Sequence, residues 1–185
     1  MSDIFFTSDS HLGHANIIKY CNRPFKNTDE MDEALIKNWN VKVKPNDKVY
    51  FMGDFTFNNP AKYRARLNGD IFFIRGNHDS TSEEFFRRVG AGQHSFQWMR
   101  DVHNLKVGSQ EIWLSHYAHR VWPKSGRGAW MLCGHSHGTC KEILPEATDG
   151  MILDVGVDVH NYTPLSFDEL KAIMLTKGIS KYDHH

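Results

Sequence analysis

Five short apolar runs in this chain stop in the same way, on Asp, His or Asn. Ile4-Phe5-Phe6 leads into Thr7-Ser8-Asp9-Ser10-His11, and Val49-Tyr50-Phe51-Met52 into Gly53-Asp54. Ile71-Phe72-Phe73-Ile74 leads into Arg75-Gly76-Asn77-His78-Asp79. Ile112-Trp113-Leu114 is followed by His116, and Trp130-Met131-Leu132 by Gly134-His135-Ser136-His137. Apolar runs of this length, bounded by Gly and polar residues, read as buried strands. Helical patterns separate the first three. Asn16 to Tyr20 is a short one; Thr28 caps a longer one in which Met31, Leu35 and Trp39 recur; Pro60 and Gly69 bracket a third. Strands alternating with helices imply βαβ units. Their parallel strands end along one edge, where α/β proteins build their sites.

The second half is richer in strands. Asn104 to Val107 and Gln110 to Leu114 form a hairpin around Gly108-Ser109, and Ile152 to Val155 is a further strand. Ser166 with Glu169 makes a capping box, and Leu165 with Leu170 a staple, at the start of a last helix that stops at Gly178. With no repeat, low-complexity tract or linker, the expectation is one α/β domain over residues 1–185, a sandwich of mixed sheets.

Composition bounds the alternatives. A chain of 185 residues that is 40% hydrophobic, with 12 Phe and 5 Trp, is not disordered. Lys plus Arg and Asp plus Glu both total 22, so no global field favours DNA or an anionic membrane. Three cysteines without CxxC spacing argue against a disulfide framework and a thiolate zinc site, and suit a reducing cytoplasm. The N-terminal residues lack a signal-peptide pattern and no run reaches membrane-spanning length, so a soluble cytoplasmic protein is expected. His184 and His185 are set aside.

Taken alone, Gly76-Asn77-His78-Asp79 reads as a turn, with Asp79 capping a helix near Ser82. A turn does not explain why five runs all end on metal-ligating side chains. Asp9-x-His11 and His135-x-His137 are i, i+2 pairs, which put both side chains on one side of an extended segment. The set is imidazole, carboxylate and amide with no thiolate, which suits Mn, Fe, Co, Ni or Zn in catalytic service.

The ordered blocks D-x-H, G-D, G-N-H-D, a lone H and G-H-x-H resemble the motif series of the calcineurin-like metallophosphoesterases. The opening SDSHLGHANIIKYCNRPF further resembles a small branch of prokaryotic and phage-borne members. The resemblance implies a four-layer α-β-β-α sandwich. It implies one metal on Asp9, His11, Asp54 and His137 and a second on Asp54, Asn77, His116 and His135, with Asp54 bridging. It also implies that His78 stands beside the substrate as a non-ligand, oriented by Asp79. Two divalent cations against the two carboxylates Asp9 and Asp54 leave about two positive charges, a surplus that favours an anionic substrate. Metals ~3.5–4 Å apart let phosphoryl oxygens span the pair while a bridging hydroxide attacks in line. His78 would then protonate the leaving oxygen.

The expected activity is hydrolysis of phosphodiesters or nucleotides, nucleic acid among them, with Mn as the first choice of metal. A phosphomonoesterase or pyrophosphohydrolase on the same site is the alternative enzyme, and a non-catalytic metal-containing binding protein the alternative of another class. His14, Arg23 and His119 are candidate substrate contacts, His119 as pocket lining just past His116; a helix start for His14 and a surface arginine for Arg23 are the competing readings. Asp154 and Asp158 read as structural, and Lys124 to Gly128 as a basic loop, either solvated or a lid. No protein partner is readable.

Overall fold

The structure is a computed structural model describing residues 2–140 and 150–179; His184 and His185 lie outside the described residues. β1 (Ile4–Thr7), β2 (Lys48–Phe51), β3 (Asp70–Ile74) and β4 (Trp98–Arg100) run parallel in one sheet. β9 (Leu165–Ser166) closes it antiparallel, giving the order β4-β3-β2-β1-β9. In the second sheet, β5 (Val102–Val107) pairs antiparallel with β6 (Gln110–Ser115) as the expected hairpin. β7 (Trp130–Cys133) and β8 (Ile152–Asp154) then follow in parallel. Both sheets are therefore mixed, as expected.

Register sets the height of the functional loops. Thr7 pairs with Phe51 and Phe51 with Phe73, so three strands end level with one another. In the second sheet Leu114 pairs with Leu132 and Cys133 with Asp154. A bridge between Ser8 and Gly156 ties the end of β1 to the segment after β8, bringing the two edges together.

The period-two alternation of the strands divides the core. Phe5, Val49, Phe51, Ile71 and Phe73 pack with Met31, Leu35 and Trp39 of α2 (Thr28–Lys42) and with Phe85 of α4 (Ser80–Val89). Phe6, Tyr50, Met52 and Ile74 point the other way, against Ile112, Leu114, Trp130 and Leu132 of the second sheet. These strands are buried on both faces, which is why they read as continuous apolar runs. The outer face of the second sheet is covered by Trp122, Ala129 and Cys140 packed on Met131, Cys133 and Ile152.

Several boundaries differ from the sequence reading, each for a local reason. Asn27, not Thr28, caps α2, its side chain accepting from Glu30 N at 2.9 Å. α3 (Pro60–Arg64) ends well before Gly69, because the buried Arg64 guanidinium takes the carbonyls of Leu67, Gly69 and Ser95. α4 starts at Ser80, and the Asp79 side chain at its start makes no capping bond. α5 (Phe167–Met174) opens with the expected capping box but ends before Gly178. Its last carbonyls are taken by i→i+3 bonds from Thr176 and Lys177. α1 (Ala15–Tyr20) begins behind His14, whose side chain does not cap it.

Candidate metal centre

The strand ends deliver two groups of side chains that could hold a metal ion. One ligand atom each from Asp9, His11 and His137 lies within 4.8 Å of the others, and the same holds for Asp54, His116 and His135. Asp54 joins them: its Oδ2 lies 3.6 Å from Nε2 of His11 and 3.6 Å from Nε2 of His116. The other oxygen, Oδ1, accepts the His78 amide at 2.9 Å, which fixes the carboxylate's rotation. Asn77 Oδ1 completes the second group, 2.9 Å from His116 Nε2 and 3.1 Å from His135 Nδ1.

The donor chemistry fits cations here. His116 Nδ1 lies 2.8 Å from the Met52 carbonyl and donates to it, so in a neutral ring Nε2 would be bare where it faces Asn77 Oδ1. Two lone pairs at that distance repel unless a positive centre lies between or beside them. His11 is 3% exposed, and among the described residues neither of its ring nitrogens has a hydrogen-bond partner. A buried imidazole left bare at both nitrogens is costly, and a cation at Nε2 removes that cost. His137 Nδ1 bonds Asp158 Oδ2 at 2.7 Å, which leaves Nε2 available to a cation.

Burial pushes Asp9 up to about 7 against the pull of His116, His137 and Ser8. Burial, then the neighbouring His137, pushes His11 down to about 2, keeping it neutral as a ligand must be. For His137 burial also lowers the pKa, but Asp158, Cys21 and the charge of Asp9 together outweigh it and lift the group to about 10. A buried carboxyl that keeps its proton up to near neutrality and an imidazole held neutral suit a site where a cation would displace the proton.

The backbone is bent to make this arrangement. Asp9, His11, Asp54, His135 and His137 all have positive φ, between 46° and 66°. Conformations of this kind cost about 1–3 kcal/mol each and gather at functional sites. Glycines let the loops interlock. A Cβ on Gly76 would lie 2.3 Å from Asp54 Oδ1, and one on Gly134 2.3 Å from Asp9 Oδ2.

Two expectations are corrected. Asp79 does not orient His78. It is fully buried, Oδ2 accepting from Asp54 N and Gly76 N and Oδ1 from Phe55 N, and among the described residues no hydrogen bond joins it to the His78 ring. It clamps the bridging loop to the Gly76 turn instead. Arg23 is not a surface phosphate clamp. It is 3% exposed, bidentate on Asp158, and donates to the carbonyls of Asp9 and Ser10. His119 is held by Trp113 Nε1 and Ser115 Oγ, each at 3.2 Å, and belongs to neither cluster. His14 does stand at the site, stacked on Phe57 with its ring 5.7 Å from that of His11. His78 is exposed, 5.9 Å from the His11 ring.

Asp158 and Asp154 brace the last ligand loop. Asp154 accepts from Ser136 Oγ and Gly138 N through Oδ2 and from Gly156 N through Oδ1. Asp154 also ends an apolar run, so the pattern of the other five would have found it. Asp158, paired across 135 positions with Arg23, leaves no local signal.

A sandwich of mixed sheets with two nitrogen–oxygen clusters sharing a carboxylate is the arrangement of a metal-dependent hydrolase. A family model described as calcineurin-like phosphoesterase matches residues 2–160, and the chain belongs to that family. An uncharacterized protein of Methanocaldococcus jannaschii is 38% identical over 184 residues, covering 96% of this chain and 94% of that one. The gene 66 protein of Mycobacterium phage L5 is 26% identical, over 85% of this chain and 87% of its own. A protein of unknown function from Aquifex aeolicus shares the fold, with a TM-score of 0.73 at 23% identity, over 94% of this chain and all of that one. The family implies divalent metal ions and phosphate-ester substrates. Among the described residues no helix is long and apolar enough to cross a membrane.

Proposed function

We propose that this protein is a dinuclear phosphoesterase acting on phosphodiesters or nucleotides, with Mn the first choice of metal. One ion would sit on Asp9, His11, Asp54 and His137, the other on Asp54, Asn77, His116 and His135. The observation that carries this is Asp54 Oδ2, equidistant at 3.6 Å from an imidazole nitrogen of each group. When bound, the ions would hold the phosphoryl oxygens and lower the pKa of the attacking water.

The chain's own residues account for the rest. Met52 O and Asp158 fix the tautomers of His116 and His137, so each presents Nε2 to its group. Asp79 and Gly76 hold the loop that aims Asp54. His78 is exposed, and among the described residues it is bonded through its backbone and not its ring, which leaves the ring to give a proton to the leaving oxygen. The exposure of Asn77, His78 and Phe57 supports an open cleft that admits a second ester group, which favours diesters over monoesters.

Metal analysis and a substrate panel test this together. Chelated protein should be inactive, and Mn should restore activity with close to two ions per chain. Undiminished hydrolysis by rigorously metal-free protein would overturn the reading. Turnover confined to monoesters or pyrophosphates across a panel with cyclic nucleotides, dinucleotides and single-stranded nucleic acid would move it to the alternative specificity. Two bound ions with no turnover on any ester would make it a binding protein.

A further inference from the structure

Phe57 stands at the mouth of the site and is 41% exposed, yet it is held firmly. Its ring stacks on His14 at 3.9 Å and 14°, and lies 4.9 Å from His78 and 5.6 Å from His11. Beyond the strand ends its backbone stays paired. Leu12 N bonds Phe55 O, and Phe57 N and Thr56 Oγ1 both bond Leu12 O. A large apolar face is thus fixed in water beside the proposed acid, with little ordering left to cost affinity.

Its neighbours indicate what it receives. If His78 faces the leaving oxygen, the group borne by that oxygen lies beside Phe57. A groove of about 360 Å³ runs from Phe57 past Asn58 and Asn59 to Thr81, Glu84 and Arg88. That is the lower end of the range for small-molecule sites, ~300–1,000 Å³. The groove offers a π-face at one end and carboxamide, hydroxyl, carboxylate and guanidinium groups along its length. A plain alkyl group would use none of the polar lining. A flat heterocycle carrying ring nitrogens and amines would use both.

We propose that Phe57, braced by His14, is a stacking platform for the base of the departing nucleoside. The preferred substrates are then phosphodiesters whose leaving alcohol carries a nucleobase. The inference rests on the phosphoesterase reading above and adds the class of the leaving group.

Adenosine, which has no phosphate, probes the platform without turnover. Saturation-transfer NMR on the metal-loaded protein should show the base protons in contact and binding that saturates. Stacking of one base is worth enough that Phe57→Ala and Phe57→Leu should each weaken it about tenfold or more, while Phe57→Trp retains it. Methyl riboside, the sugar without a base, should show no transfer. The kcat/KM for a dinucleoside monophosphate should fall by the same order in Phe57→Ala, chiefly through KM, with metal content unchanged. No adenosine binding by the wild type, or binding by the two truncated variants as tight as that of the wild type, overturns the platform and leaves the phosphoesterase reading standing. Adenosine binding with no hydrolysis of any phosphoester overturns that reading instead, and the substrate class with it.

Discussion

Asp54 uses its two oxygens for different ends. Oδ1 is held by the His78 amide, and Oδ2 faces both imidazole groups. Asp54→Asn puts a neutral amide at the shared position. Metal content should fall at both positions and activity should drop about 10²-fold or more, beyond the loss from a terminal ligand change such as His11→Asn. Elemental analysis beside kcat/KM checks this; near-normal metal content would remove Asp54 as the bridge. His78→Ala should keep both metals and lose activity according to the leaving group. A general acid gives ~10²–10⁴-fold with a poor leaving group, so a nucleoside ester should suffer far more than a nitrophenyl ester. Equal losses on both would mean that His78 binds the phosphoryl group. The two clusters were legible because five strand ends carry Asp, His or Asn, side chains that metal binding would select. Arg23 was misread because its partner Asp158 lies across the fold, and only folding reveals that the guanidinium is buried.

At the scale of loops and strands, three turns interlock around Asp54 and Asp9. Gly76→Ala would push a methyl group to 2.3 Å from Asp54 Oδ1. Relief requires moving the bridge or the turn, and overpacking of this kind costs about 1–3 kcal/mol. The expected variant has native far-ultraviolet circular dichroism, a lowered Tm and reduced metal content; unchanged metal content and Tm would contradict the close approach. Asp79→Asn acts on the same loop. An amide cannot accept from three backbone N–H groups on both sides, and a buried donor left unpaired costs about 1–3 kcal/mol. Its activity loss should therefore be equal across ester types, unlike that of His78→Ala. The sequence made the strands and the capping box of α5 plain, because period and caps are local. The ends of α3 and α5 were not plain, since Arg64 and the turn after Met174 settle them through bonds that propensity does not encode.

For the molecule as a whole, each proposed ion draws on both sheets. Asp9, His11, Asp54 and Asn77 follow strands of the first, and His116, His135 and His137 follow strands of the second. Binding to the folded state alone stabilises it by about 2.7 kcal/mol at a hundredfold excess over Kd. For a chain of this size that is a Tm rise on the order of 5–10 °C, readable by calorimetry with and without Mn. A Tm that does not respond would mean that the ions bind weakly or elsewhere.

The seam between the sheets has another consequence. Only Asp101 separates β4 from β5, and Asp101 is exposed, so the chain passes from one sheet to the other at an accessible point. Neither side of that point carries a full set for either ion. Two polypeptides divided there would each be silent, and hydrolysis would return only when they meet, making the centre a built-in reporter of reassembly.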